Sequence, residues 1–370
     1  MSFALAALAS VLVSGTVYDD ANANGLRDAA ESGLAGVAVS DGHEVVSTGA
    51  DGGYRLEASG RNVFVVLPAD RRAVGSFWKA VAATADFGLA RHAVPAEWRF
   101  AHLSDTHVHP GNVERMRRAL AGASARGAQF ALITGDLNQD ALRVDEATAR
   151  ARMELYVREA QAAPLPVFSI PGNHDIFGVE RHLSLVPTTH PSYGKAMHEQ
   201  LVGPRYYSWN RGGVHFIALD TLEVDDLWYY GEIGDEQLAW LRKDLARVPP
   251  GTTIVTAGHV PLRTAAVFDG YEAEGPMRSL LTVKGRAFYR HVVRNVPALI
   301  EALKPHPLTL ALQGHTHEGE RLRLYDGTET RYHTAPSVTS TPGLPSGFFV
   351  YRVRGGTIDD GERVLLDPQE

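Results

Sequence analysis

The sequence contains no cysteine. This absence excludes disulfide bonds, thiolate zinc sites and thiol nucleophiles together. Any metal ion would therefore be held by histidine, aspartate, asparagine or glutamate side chains. The chain also lacks a block of basic residues, and its formal net charge of -7 is spread over residues of both signs. Because duplex nucleic acid is bound by a basic surface, we expect no such partner.

The apolar stretch at residues 3–13 is too short to cross a lipid bilayer, since a helix rises only about 1.5 Å per residue. We therefore expect no transmembrane anchor. Residues 7–9 have the small-x-small form of a signal-peptidase site, but the segment before them is short and carries no Lys or Arg. A degenerate secretion signal and an ordinary first strand at 11–17 both fit this pattern.

A length of 370 residues predicts two domains, at roughly 100–200 residues per domain. Short β-branched runs between Gly and Asp clusters predict a small all-β module in the first part. After about residue 98, apolar strands alternate with helical stretches, which is typical of a layered α/β domain. We therefore expect a β-sandwich module at 1–70, a linker at 71–97, and an α/β domain at 98–370 that ends in β-strands.

A twelve-residue loop in the first module has the ligand spacing of an EF-hand calcium loop. Its positions 1, 3, 5, 6, 9 and 12 are Asp20, Asn22, Asn24, Gly25, Asp28 and Glu31. Strands flank this loop, so it is not a true EF-hand, and the same residues also make ordinary turns. The segment SGTVYDDANANGLRDAAESGLAGVAVSDG resembles the calcium-binding B-type repeats of bacterial surface proteins. The resemblance implies a structural calcium ion.

Five apolar runs each end in a loop that is rich in metal-ligand residue types. The motifs are Asp105-Thr-His107, Gly-Asp136, Gly-Asn173-His174-Asp175, Gly-His259 and Gly-His315-Thr-His317. Each motif alone is a common turn. Strand ends at one edge of an open sheet are where such folds collect ligands, so the five motifs together predict one site.

In this order the motifs resemble those of the calcineurin-like metallophosphoesterases, over about residues 99–317, and the first module looks like the one that precedes some bacterial members. The resemblance implies an α/β fold, the metallophosphoesterase αββα sandwich, preceded by a small all-β sandwich. It also implies two divalent transition-metal ions, which for mixed imidazole and oxygen ligands are Mn, Zn, Fe or Co. On the family pattern one ion is held by Asp105, His107 and His317, the other by Asn173, His259 and His315, and Asp136 bridges them.

The same resemblance implies the reaction. A metal-bound hydroxide would attack a phosphomonoester or phosphodiester, while His174 assists the leaving group. Asp175 either orients His174 or has a structural role. The alternative function is that of a surface or periplasmic protein that binds phosphorylated ligands through a non-catalytic phosphoesterase domain.

The expected substrate is a phosphorylated small molecule, a nucleotide, or a lipid or cell-envelope component. Residues 137–140 contain no tyrosine, unlike the matching segment of purple acid phosphatases, which argues against a ferric site. Two inserts, 176–206 and 261–295, are expected to set specificity. The second contains His291 and a set of residues of which one or two are expected to clamp a phosphate or anionic head group, while most form a solvated basic loop: Arg263, Arg278, Lys284, Arg286, Tyr289, Arg290 and Arg294. The bacterial resemblance predicts an extracytoplasmic location, periplasmic or secreted.

Overall fold

The computed structural model describes residues 10–268, 280–283 and 285–367. In the first part of the described chain, short β-strands are separated by Gly and Asp turns. These strands are β1 Val11–Asp19, β2 Ala38–Ser40, β3 Val45–Ser47, β4 Gly53–Ala58, β5 Asn62–Val65, β6 Arg71–Ala73, β7 Trp78–Ala80 and β8 Phe87–Arg91. They form two four-stranded sheets, in the orders β4-β1-β8-β6 and β3-β2-β5-β7.

The segment 71–97, expected to be a linker, supplies three of these strands. β6 pairs with β8 in the first sheet, and β7 pairs with β5 in the second. β6 and β7 have three residues each and little apolar alternation, so pairing with neighbouring strands, and not the local pattern, determines them. The β module therefore extends to Arg91.

The α/β domain contains two six-stranded sheets. The first comprises β9 Glu97–Leu103, β10 Ala128–Thr134, β11 Val167–Ile170, β22 Gly347–Arg354, β23 Thr357–Ile358 and β24 Glu362–Leu365. The second comprises β12 Tyr207–Arg211, β13 Val214–Ala218, β16 Thr253–Ala257, β19 Leu308–Gln313, β20 Glu320–Tyr325 and β21 Glu329–Thr334. Two separate hairpins are β14 Leu222–Asp225 with β15 Trp228–Gly231, and β17 Leu280–Val283 with β18 Arg286–Tyr289. β9, β10 and β11 are parallel, as are β13, β16, β19 and β21, so their carboxyl ends reach the same edge within each sheet.

Aromatic side chains fill the space between the two sheets. Phe100 of β9 meets Phe216 of β13 with ring centroids 5.3 Å apart, and Phe168 of β11 stacks on Trp209 of β12 at 4.1 Å. Helices α1 Val113–Ala125 and α2 Glu146–Gln161 cover the first sheet, and α5 Asp235–Leu245 and α6 Val296–Ala302 cover the second. The short helices α3 Arg181–Ser184 and α4 Ala196–Leu201 follow β11. The α/β fold with a preceding all-β module is thus confirmed.

The β module packs directly against the α/β domain. The Phe64 ring of β5 lies 6.4 Å from the Tyr207 ring and 6.3 Å from the Trp240 ring. Trp240 also donates its indole N–H to the Ser40 hydroxyl at 3.1 Å. Buried apolar residues of the two parts therefore form one continuous core. In the described part of the chain, no helix combines the length and the apolar character that a membrane crossing requires.

Candidate metal centre

Loops at the carboxyl ends of five strands, β9, β10, β11, β16 and β19, meet at one edge of the two sheets. The first group of side chains is Asp105, His107 and His317, whose ligand atoms lie within 4.8 Å of one another. His317 Nε2 is 3.1 Å from Asp105 Oδ1 and 3.3 Å from His107 Nε2. Asp105 is fully buried, so its negative charge needs a positive partner at this position.

A second group lies beside the first and consists of Asp136, His259 and His315, with Asn173 against it. His259 Nε2 is 3.3 Å from Asp136 Oδ2, 3.0 Å from Asn173 Oδ1 and 3.1 Å from His315 Nδ1. Asp136 Oδ2 is also 3.6 Å from His107 Nε2 of the first group. Asp136 therefore lies between the two groups, where a bridging carboxylate has to be.

The atoms that face one another are mostly acceptors, which fits positive ions between them. His259 Nδ1 lies 2.7 Å from the Thr134 carbonyl oxygen, which only accepts, so the neutral ring carries its proton on Nδ1. Its Nε2 then turns a lone pair towards Asn173 and Asp136. Burial alone would lower the pKa of His259, but the Asp136 and Asp105 carboxylates outweigh it and raise that pKa to about 9. A metal ion would displace the proton that this pKa implies.

Two further contacts fit metal ligation. The buried Asp105 Oδ1 has no partner with hydrogen-bond geometry among the described residues, although His317 Nε2 lies 3.1 Å away. His317 Nδ1 lies 2.7 Å from the Thr341 hydroxyl, which leaves Nε2 free for an ion, in the way that metal-bound imidazoles usually use their second nitrogen. Imidazole, carboxylate and amide ligands together suit Mn, Zn, Fe or Co. The residues present therefore fit two divalent transition-metal ions.

Backbone strain is concentrated in these loops. Non-glycine residues rarely adopt a positive φ. Five residues of the two groups do so, with φ of 52°, 42°, 51°, 75° and 63° for Asp105, His107, Asp136, His315 and His317. Such conformations cost about 1–3 kcal/mol each and cluster at functional sites, where the surrounding fold holds them. The fold therefore holds these loops in a geometry that turns the side chains towards one another.

Two glycines let the ligand loops approach each other closely. A Cβ atom on Gly172 would lie 2.1 Å from the Asp136 backbone nitrogen. A Cβ atom on Gly135, which has φ of +85°, would lie 2.5 Å from His259 Nδ1. The glycines of the Gly-Asp and Gly-Asn-His-Asp motifs are thus required by the close approach of one ligand loop to the next.

His174 lies at the rim of the two groups. Its Nε2 is 4.0 Å from Asp136 Oδ2, and its backbone N–H donates to Asp136 Oδ1 at 2.8 Å. Its ring centroid is 4.7 Å from that of His107. His174, His107 and Asp136 also form a third group of candidate ligands. The distances thus place His174 beside the two groups of candidate ligands, and its action on a leaving group stays a prediction.

Asp175 does not hydrogen-bond to the His174 ring. Its buried carboxylate accepts hydrogen bonds at 2.7 to 3.0 Å from Gly172 N–H, Leu137 N–H and the Asn138 side-chain amide. Burial and the negative charge of Asp136 raise the pKa of Asp175 to about 7. These contacts tie the Asn173 loop to the Asp136 loop, so they favour the structural role for Asp175.

The carboxylate that lies near the free edge of the His174 ring is Asp140, which the sequence did not assign to the site. His174 Nδ1 is 3.9 Å from Asp140 Oδ1. The Asp140 carboxylate is held in turn by the backbone N–H of Leu142 at 2.9 Å. Its position four residues after Asp136 was the only available signal, and that spacing has no meaning until the loop is folded.

His291 is a second residue that the sequence left without a role. Its Nδ1 lies 2.7 Å from His315 Nε2 and 3.3 Å from the Tyr229 hydroxyl. The His291 and His315 rings stack with centroids 4.9 Å apart. Because His315 Nδ1 faces His259, its Nε2 proton can be donated to His291. Burial and the Arg290 charge lower the pKa of His291 to about 4, which keeps His291 an acceptor.

We expect His291→Ala to weaken metal binding at the His315 position by about 10–100-fold, since partners that orient a metal-bound imidazole contribute that much affinity. The ion held by Asp105, His107 and His317 should stay. Metal content measured across a series of free-metal concentrations tests this. His190→Ala, which changes a histidine packed on Phe177 outside the metal groups, is the matched control. Equal metal affinity in the two variants would contradict the assignment.

The loop at 20–31 is closed by its own side chains. Asp20 is fully buried and accepts the backbone N–H of Asn24 at 3.1 Å and of Gly25 at 2.8 Å. Asp28 Oδ2 accepts the side-chain amides of Asn22 at 2.7 Å and Asn24 at 3.0 Å. Glu31 accepts the backbone N–H groups of residues 21 and 28, at 2.9 and 3.0 Å. The predicted ligands therefore lie close together. Among the described residues, however, their carboxylates do not form one of the groups of candidate metal ligands.

Comparison with protein families gives two matches. The family described as calcineurin-like phosphoesterase matches residues 99–319, and the family described as the N terminal of calcineurin-like phosphoesterase matches residues 21–88. The first match contains all five ligand loops. The second contains most of the β module, including strands of the segment expected to be a linker.

Curated relatives match part of the chain. A probable cyclic nucleotide phosphodiesterase from Rhodococcus erythropolis is 33% identical over 171 residues, 44% of this chain and 52% of the relative. Purple acid phosphatase 15 from Arabidopsis thaliana is 26% identical over 170 residues, 44% of this chain and 26% of the relative. The chain thus spans about half the length of the first relative and about a quarter of the second.

Solved structures with a similar fold include a dimetal phosphatase from Danio rerio and a purple acid phosphatase from yellow lupin seeds. The first has a TM-score of 0.49 and 15% identity, and the match covers 73% of this chain and 98% of that one. The second has a TM-score of 0.47 and 15% identity, and the match covers 89% of this chain and 68% of that one.

Proposed function

We propose that this chain, which belongs to the calcineurin-like phosphoesterase family, hydrolyses a phosphomonoester or phosphodiester at a two-metal centre. The observation that carries this proposal is the position of Asp136 between two groups of ligands. A carboxylate between two ions about 3.5–4 Å apart offsets their repulsion. One ion would be held by Asp105, His107 and His317, and the other by Asn173, His259 and His315.

Two divalent ions at these positions would lower the pKa of a shared water and hold the phosphoryl oxygens for in-line attack. The protein itself contributes the placement of the imidazole ligands. The Thr134 carbonyl fixes the tautomer of His259, and His291 accepts from His315. The strained loops keep these imidazoles aimed inwards, so the ligands need little rearrangement when ions bind.

His174 would act on the leaving group. Its ring is partly exposed at the rim, 4.0 Å from the carboxylate that would bridge the ions, so a substrate held by the ions would meet it. An imidazole can donate a ring proton to the leaving oxygen as the P–O bond breaks. Asp140 lies 3.9 Å from the opposite ring nitrogen, beyond hydrogen-bond distance, and places a negative charge beside the ring.

Hydrolysis of para-nitrophenyl phosphate and bis-para-nitrophenyl phosphate tests the proposal and separates monoester from diester. We expect the metal-stripped protein to be inactive and Mn to restore turnover of at least one ester. Two bound ions without turnover of either ester would favour the alternative, a surface or periplasmic protein that binds phosphorylated ligands. The position of His174 argues against that alternative, because binding alone requires no proton donor beside the ions.

The proposed substrate is a phosphorylated small molecule, a nucleotide, or a lipid or cell-envelope component. The name of the Rhodococcus erythropolis relative supports a nucleotide diester. The similarity of the β module to repeats of bacterial surface proteins supports an extracytoplasmic bacterial location.

We also propose that the loop at 20–31 binds calcium, which would replace the amide nitrogens that now contact Asp28. Calcium should raise the melting temperature of the full chain, and Glu31→Ala should remove most of that rise, since Glu31 is the candidate bidentate ligand. The full chain is used because the module shares its core with the α/β domain. Glu57→Ala, at an exposed glutamate of β4, is the control. An unchanged melting curve at saturating calcium would show that the loop is only a turn.

A further inference from the structure

The arginines in the segments that border the metal centre differ in whether a carboxylate neutralises them. Three of these arginines are paired: Arg143 with Glu180 at 2.8 Å, Arg263 with Asp326 at 3.2 Å, and Arg294 with Glu232 at 2.7 Å. Arg286 is exposed on the β17–β18 hairpin. Arg278 and Lys284 lie outside the described residues. A carboxylate partner neutralises a guanidinium and occupies its N–H donors, so a paired arginine binds a ligand anion less well. These contacts therefore single out Arg290 among the cations of the second insert.

Arg290 is held by aromatic rings and by the backbone. Its guanidinium lies 4.3 Å from the centroid of Tyr229 and 5.1 Å from that of Trp228. Its backbone carbonyl accepts the N–H of Gly231 at 2.9 Å. Within the described part of the chain, Arg290 forms no ion pair with a carboxylate, and its Nε is buried without a hydrogen-bond partner. Ring faces stabilise a cation but do not neutralise it.

Tyr229 connects Arg290 to the metal centre. The ring of Tyr229 lies 6.1 Å from that of His315, and its hydroxyl is 3.3 Å from His291 Nδ1. The guanidinium is therefore about one aromatic ring away from the ligands of the second ion.

We propose that Arg290 binds a second anionic group of the substrate, a phosphate or carboxylate separate from the phosphoryl group that reacts. The proposal rests on the proposed function, because the reacting phosphoryl group would be held by the ions. Arg290 lies further out, within reach of an anion attached to the same molecule by a few bonds. A partly buried guanidinium that has no carboxylate partner among the described residues is available to an anion, and its planar fork binds phosphate and carboxylate through two parallel hydrogen bonds.

Calorimetric binding of two nucleotides to the Mn-loaded protein tests this proposal without any need for turnover. Thymidine 3′,5′-bisphosphate carries a second phosphate, and thymidine 5′-monophosphate does not. We expect wild-type protein to bind the bisphosphate about 10–100-fold more tightly, as hydrogen bonds to a charged group predict. Arg290→Gln should remove this preference, and Arg290→Lys should keep part of it. Arg294→Gln, at an arginine already paired with Glu232, should keep it in full.

The ratio of the two dissociation constants is compared within each variant, so a general loss of metal or stability cancels. If Arg290→Gln is poorly folded, Arg290→Met keeps an apolar stem on the rings and removes the charge together with its N–H donors. Equal affinity for the two nucleotides in wild-type protein, or an unchanged preference in the neutral variants, would overturn the proposal. Preference for the bisphosphate without hydrolysis of any ester would refute the proposed function alone. Hydrolysis without the preference would refute the role of Arg290 alone.

Discussion

Asp136→Asn is expected to remove both metal ions and to reduce phosphoester hydrolysis to background. The Asp136 carboxylate lies 3.3 Å from His259 Nε2 and 3.6 Å from His107 Nε2, so one side chain serves both groups of ligands. An amide keeps the shape of the carboxylate but loses the negative charge that offsets the repulsion between two cations. Metal analysis of the purified variant, beside its rate with each model ester, measures both effects.

Asp220→Asn provides a matched control for the loss of a buried carboxylate. Asp220 is also almost fully buried, but Lys195 and Arg205 pair with it at 2.7 Å, and it belongs to none of the groups of candidate ligands. This variant should melt at a lower temperature, because it leaves two cations without their partner, yet it should keep both ions. Retention of two tightly bound ions by Asp136→Asn would show that Asp136 is not the bridge.

His174→Ala should keep both ions and lower kcat by about 10²–10⁴-fold, the usual contribution of a general acid. The loss should appear mainly in kcat, since an interaction made in the transition state adds little to ground-state binding. It should be smaller for para-nitrophenyl than for phenyl esters, because para-nitrophenolate leaves without a proton. His259→Ala should instead lose one ion and be impaired with both leaving groups.

Rates for the two esters, together with metal content, therefore separate acid chemistry from metal binding. His182→Ala, at an exposed histidine of α3, controls for loss of an imidazole outside the site and should change neither. Loss of metal from His174→Ala, or an equal deficit for both leaving groups, would contradict the general-acid role. The first result would instead favour a ligand role, which the third group of candidate ligands allows.

The sequence was most informative where local pattern and chemistry coincide. Strand β11 Val167–Ile170 and helix α1 Val113–Ala125 lie in segments whose local sequence pattern already indicates a strand and a helix. Both have strong apolar periodicity, which determines element type locally. The five ligand motifs follow such strands, so the edge at which they meet could be predicted from the parallel order alone.

The sequence was least informative where contacts between distant segments decide the structure. Strands β6 and β7 have three residues each and exist because β8 and β5 pair with them. The contact of His291 with His315 joins an insert to a motif 24 residues away, and no local pattern encodes it. Asp175 adjoins His174 in sequence, yet its carboxylate accepts hydrogen bonds from the backbone N–H of Gly172 in its own loop and of Leu137 in another loop.

The need for two ions in hydrolysis is tested by titrating the metal-stripped protein with Mn. Bound metal and ester hydrolysis are measured on the same samples. We expect two ions per chain and turnover that appears only as the second position fills, since the proposed dinuclear site needs both ions. Full turnover with one ion per chain, or two bound ions with no hydrolysis of either para-nitrophenyl ester, would contradict it.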